Sequence, residues 1–185
     1  MDTEAMLKMM EEKATAVGSV VRHIGSMEDA VNYTVDLCTE KSMKSIVCAG
    51  IQESDTQMLK DACAKKDIAF FQPPFRDKAS DLELALTFAD AGIADTGTIM
   101  VRSDSEDLRI ATMASKIHVA ILPQDTIIED TAALEPELDA DLKSDSPSYT
   151  AFITGPSRTA DIERVLAIGV HGPLELHLLI LKEKA

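Results

Sequence analysis

The residues best equipped for chemistry crowd into one short stretch near the C-terminus. Gly155-Pro156-Ser157-Arg158-Thr159-Ala160-Asp161-Ile162-Glu163 is followed by Gly169-Val170-His171-Gly172-Pro173. Two Gly/Pro turns thus bracket an arginine, two carboxylates, two hydroxyls and a histidine. The pattern predicts a strand over 149–154 that runs through Gly155-Pro156-Ser157-Arg158 into a segment of helical character. Backbone N–H groups at a helix start, with a guanidinium beside them, would hold an anion. No Lys-bearing glycine loop and no G-x-G-x-x-G is present, so a nucleotide cradle of the familiar kinds is excluded. Asp161 and Glu163 fall in the first turn of that segment, where they already favour the helix dipole. A phosphate would sit beside both carboxylates unless Arg158 or a metal came between. With equal weight the same residues read as a capped helix, with Thr159 or Ser157 as N-cap and Arg158 paired to an acid.

His171 lies on a tight turn between Gly169 and Gly172-Pro173, and an imidazole with a pKa of about 6.5 suits proton transfer. A ring that only fixes the turn through a backbone carbonyl is an equal use of it. His177, His23 and His118 are read as structural, His177 within a Leu/Ile strand and the others isolated. Asp95-Thr96-Gly97-Thr98 resembles the Asp-Thr-Gly of aspartic proteases, but a single copy cannot supply the paired carboxylates that such chemistry needs. Its expected form is a tight hairpin in which Gly97 takes a positive φ, or a pocket rim offering Thr96 and Thr98 hydroxyls. Cys38, Cys48 and Cys63 fall on predicted inner faces with no C-x-x-C spacing, so a disulfide framework, a structural zinc and a cysteine nucleophile are not expected.

These residues need a scaffold, and the hydrophobic periodicity supplies one. Met6, Met9, Met10 and Val17 predict an N-terminal helix with a Met-rich face, and residues 19–24 a strand. Ser26 caps a second helix carrying Ala30, Val35 and Cys38 inward, and the apolar run 45–50 reads as a central parallel strand. Ser54 opens a third helix with Met58, Leu59 and Cys63 inward. Residues 68–71 read as a strand, and 81–89 return to helical spacing through Leu82, Ala85, Leu86 and Phe88. Residues 108–115 read as a helix, 117–123 as a buried strand, 127–142 as an acidic surface helix and 174–181 as a closing strand. The alternation predicts a single-domain, three-layer α/β/α fold with a mostly parallel sheet.

The 185-residue chain is long enough to bury a core, and its formal net charge of −14 disfavours nucleic acid and anionic membrane surfaces. Trp is absent, so base-stacking platforms are scarce. No apolar run reaches the length of a membrane span, and the acidic N-terminus is unlike a signal peptide. A cytoplasmic location is expected.

Taken in order, Ala94-Asp95-Thr96-Gly97-Thr98, the 155–163 stretch and Gly169-Val170-His171-Gly172-Pro173 resemble the LUD-domain family, of the lactate utilisation protein C (LutC/YkgG) type. The resemblance runs from about residue 20 to the C-terminus and is densest after residue 92. It implies a fold similar to the NagB/RpiA/CoA-transferase-like group, with an N-terminal helix over 1–17 and the LUD-type domain over 18–185. It also implies an accessory or regulatory role in an iron–sulfur system oxidising L-lactate to pyruvate, possessed of no cofactor itself, its clusters carried by partner subunits. The chain departs from the family at Asp95, where Glu is common, and over 109–118, and is short at its N-terminus. The expected site is one pocket where residues 95–98, 155–158 and the His171 turn meet. Arg158 would anchor a small anion, His171 would act as acid or base, and Asp161 and Glu163 would orient them or hold a metal. Asp95, Thr96, Gly97, Thr98, Gly155, Pro156, Ser157, Thr159 and Gly172 would line the pocket. The alternative is a stand-alone enzyme or binding protein for a CoA-, nucleotide- or sugar-phosphate-like ligand; a homodimer is open to either.

Overall fold

A computed structural model describes residues 2–103, 105–143, 149–159, 167–168 and 172–182. Helix α1 (Thr3–Ala16) starts at Asp2, whose carboxylate accepts from Ala5 N–H, and leads through Gly18 into β1 (Val20–Ile24). Ser26 caps α2 (Met27–Glu40) by accepting from Asp29 N–H, as its sequence position predicts. Strand β2 (Ser45–Ala49), helix α3 (Glu53–Lys65) and strand β3 (Ala69–Phe71) follow. The helix begins at Glu53 rather than Ser54, and Met58 is partly exposed instead of facing inward.

The largest departure from the sequence expectation is at residues 81–89. They form not a helix but β4 (Leu84–Phe88), a central strand reached through a 3-10 turn over Arg76–Asp81. A strand buried on both faces shows no alternation of polar and apolar residues, and so its Leu and Ala spacing mimics a helical stripe. Next come a hairpin of β5 (Ala91–Ile93) and β6 (Thr98–Arg102), then α4 (Glu106–Ala114) and β7 (Ile117–Pro123). The expected helix over 127–142 is helical from Thr131 onward, through a 3-10 turn (Thr131–Leu134) into an α-helix. The segment opens with β8 (Ile127–Ile128), which pairs parallel to β5, and closes with α5 (Glu135–Leu142). Strand β9 (Thr150–Ile153) pairs with β6, β10 (Arg158–Thr159) pairs with β11 (Ala167–Ile168), and β12 (Glu175–Leu181) closes the described chain.

Apart from the short β10–β11 pair, two sheets organise these strands. Six parallel strands run in the order β1-β12-β7-β4-β2-β3, and a four-stranded sheet runs β8-β5-β6-β9. Helices α2 and α3 cover one face of the large sheet, where Ile46, Leu84, Leu86, Val119 and Leu179 are buried. The other face packs Ala120, Leu122, Leu176, Leu178 and Ile180 against α1 and the small sheet. The mixed α/β fold with a mostly parallel sheet is therefore as expected, with the small sheet forming much of one outer layer.

The tightest packing lies under the β5–β6 turn. Gly97 has φ +66°, and a Cβ there would lie 2.2 Å from the backbone nitrogen of Ala14 in α1. A Gly97→Ala substitution should cost at least about 2 kcal/mol, since left-handed strain adds to a backbone clash. Urea unfolding of the variant measures this.

Candidate functional site

A cavity of about 470 Å³ lies where the edge strand β9, the end of α4 and the first residues of β7 and β12 converge. The C-terminal motif supplies much of its wall: Gly155, Pro156, Ser157, Arg158 and Gly172 all line it. The loop and the turn are joined directly, because Ser157 N–H donates to the Pro173 carbonyl at 2.9 Å. Gly172 packs on Ser157 so closely that a Cβ would lie 3.0 Å from the serine Cβ.

What fixes this loop is the end of α1. Gly155 has φ +71°, and a Cβ on it would lie 2.5 Å from the Val17 carbonyl oxygen. Arg158 Nη2 donates to that same carbonyl. A guanidinium at a helix C-terminus satisfies a terminal carbonyl and opposes the negative end of the dipole. Guanidinium carries five N–H donors, so this bond leaves others for the cavity that Arg158 also lines.

The remaining expected site residues divide. Thr98 Oγ1 meets Thr154 Oγ1 at 2.8 Å, which links the hairpin to a residue of the cavity wall. Asp95, Thr96 and Gly97 are not among the lining residues, and their turn packs on α1 and β8 instead. Asp95 N–H donates to the Glu129 carbonyl at 3.1 Å, and Thr96 Oγ1 to the Ile93 carbonyl at 3.5 Å. Arg158 and Thr159 form a strand paired with Ile168 and Ala167, so no helix starts at Arg158 to present its N–H groups. His171, Asp161 and Glu163 lie outside the described residues.

His118, read from the sequence as structural, stands in the wall of the same cavity. The pleat of β7 turns it toward the face of Ala120 and Leu122, where it is fully buried. Its Nε2 meets the hydroxyl of the equally buried Thr87 on β4 at 2.8 Å, and Nδ1 has no hydrogen-bond partner. Burial drives its pKa down to about 4, so the ring is neutral near pH 7. A signal was present: one polar residue in a wholly apolar strand, with a threonine in an earlier apolar segment able to pair with it.

His177 points to the opposite face. Its Nδ1 meets the Tyr33 hydroxyl at 2.7 Å and its Nε2 the Glu175 carboxylate at 2.9 Å, while Lys41 binds Glu175 at 2.6 Å. Burial lowers the His177 pKa and raises that of Tyr33. Burial alone would raise Glu175 too, but hydrogen bonds from Lys41 and His177 hold it below the usual carboxylate range. This chain of contacts ties α2 to β12 away from the cavity. A second, smaller crevice of about 290 Å³ lies beyond the carboxyl ends of β2, β4 and β7, and it holds the acidic Asp55 and Asp90.

The LUD domain profile matches residues 7–181. The chain belongs to the LUD-domain family. It is 32% identical over 110 residues to a lactate utilization protein C from Halalkalibacterium halodurans, covering 58% of this chain and 48% of that one. A lactate utilization protein C from Shouchella clausii is 25% identical over 190 residues, covering 98% of this chain and 81% of its own. Against the first of these, and an Oceanobacillus iheyensis relative covered to 45%, the chain spans about half of the relative's length. A crystal structure of a DUF162-family protein from Deinococcus radiodurans superposes with a TM-score of 0.68 at 17% identity, covering 98% of this chain and 99% of that one. That likeness shows the shared fold.

The buried imidazole gives this LUD domain a testable acid response. The unfolded chain protonates His118 near pH 6.5 and the folded protein only near pH 4. Between those values the unfolded state binds more protons, so stability falls as pH falls. Wild type should lose about 2 kcal/mol more than His118→Leu between pH 7 and pH 5. Urea unfolding at the two pH values reads the difference, and equal losses would count against a neutral buried ring.

Proposed function

We propose that this chain serves lactate oxidation as an accessory component, beside partner subunits that carry iron–sulfur clusters and transfer the electrons. The observation that carries the reading is similarity over 98% of the chain to a protein named lactate utilization protein C. The chemistry of its own thiols supports placing the clusters elsewhere. Cluster ligation needs cysteine side chains as thiolates. Cys38, Cys48 and Cys63 are all buried, and burial pushes Cys38 up to about 11 and Cys63 up to about 12. Among the described residues no group of three or more His, Cys, Asp or Glu could hold a metal ion. No helix of the described residues is long and apolar enough to cross a membrane.

A second reading, a ligand-binding protein or enzyme in its own right, is favoured by the size of the cavity, which falls in the range of small-molecule sites. Affinity recovery of the endogenous protein from its native cells separates the two. An accessory component should bring brown, cluster-bearing partners with visible absorbance and show little lactate oxidation alone. Recovery of a colourless protein without partners would overturn the first reading.

A further inference from the structure

The sequence holds 32 acidic and 18 basic residues, yet Arg158 is the one charged side chain among the described residues that line the main cavity. An anion entering there meets a guanidinium and no described carboxylate. His118 is another lining residue, fully buried, and its Nδ1, shielded from solvent, is unpartnered. Its Thr87 hydroxyl partner can donate or accept, so Nδ1 can be presented as a bare acceptor or as an N–H donor. A desolvated polar atom without a partner carries a free-energy cost that a bound polar atom removes. The outer wall is of the opposite character. Met113, Tyr149 and Phe152 line the cavity while being 55%, 45% and 48% exposed. Large apolar side chains left in water around a concavity mark a binding surface.

The space, about 470 Å³, lies in the range of cavities that hold ring-sized organic ligands. We propose that this cavity binds an organic acid with an apolar, ring-sized body. Its anionic group sits on Arg158, a polar atom pairs with His118 Nδ1, and its body packs against Met113, Tyr149 and Phe152. The inference rests on the second reading above, that the cavity holds a ligand, and is independent of the iron–sulfur partners.

Ligand-observed NMR on the full chain tests it with three aromatic acids (hydrocinnamate, indoleacetate and naphthoate), the neutral hydrocinnamyl alcohol, and L-lactate. At least one aromatic acid should bind saturably with a Kd of about 1 mM or tighter. Hydrocinnamyl alcohol should bind about tenfold more weakly than hydrocinnamate, and the His118 ring nitrogen signals should shift with the acid. Arg158→Gln should abolish the preference for acid over alcohol. Because Arg158 also caps α1, Arg158→Lys serves as the control that keeps the charge and retains the preference. Phe152→Ser, at an exposed position, should weaken acid and alcohol alike by about fivefold. No saturable binding by any of the three acids would overturn the proposal. So would a preference for acid that survives Arg158→Gln, His118 signals that do not move, or displacement of a bound aromatic acid by equimolar L-lactate. Failure here leaves the recovery of cluster-bearing partners unaffected, so the two readings fall separately.

Discussion

The last turn of α1 is the wedge on which the rest of the candidate site depends. Ala14, Val17 and Gly18 are touched by the Gly97 turn, by Gly155 and by the Arg158 guanidinium. Each contact is a backbone-to-backbone approach or a charged bond to a terminal carbonyl, and neither tolerates an added side-chain carbon. Two segments nearly sixty residues apart in sequence are thereby set at fixed distances from one helix end. The family resemblance suggested that they face each other across a pocket. They do converge, but over α1, and of the two only the 155–158 loop lines the cavity.

In the proposed binding role Arg158 has two duties. Capping the helix holds the guanidinium in place, which reduces the side-chain entropy that a free arginine would lose on meeting an anion. A positioned cation beside an apolar rim is a better anchor than the same residue on a mobile side chain. The bond that looks purely structural would therefore also prepare the cavity for the proposed anion.

The histidines show how strongly the sheet decides chemistry. His118 and His177 lie at neighbouring positions on adjacent parallel strands, one residue out of register, so the pleat sends them to opposite faces. His177 meets Tyr33 and Glu175 and becomes part of a tie between α2 and β12. His118 meets only Thr87 and keeps one nitrogen unpaired beside the cavity. Both lose basicity to burial, yet only one has an atom left over for a ligand.

Much of the fold was legible from local patterns, because helices with a buried stripe and Gly-bounded apolar runs are local consequences of side-chain order. The caps at Ser26 and the positive φ at Gly97 were legible for the same reason. Residues 81–89 were not, since a strand buried on both faces lacks the alternation that distinguishes it from a helix. At Arg158, β pairing with Ile168 overrode the local preference for a helix start. The C-terminal motif named the loop that lines the cavity, from its Gly and Pro turns and the polar side chains clustered between them. That His118 stands in the same wall, and that Asp95, Thr96 and Gly97 do not, was decided by tertiary structure, because strand order and the docking of α1 depend on contacts between residues far apart in the chain.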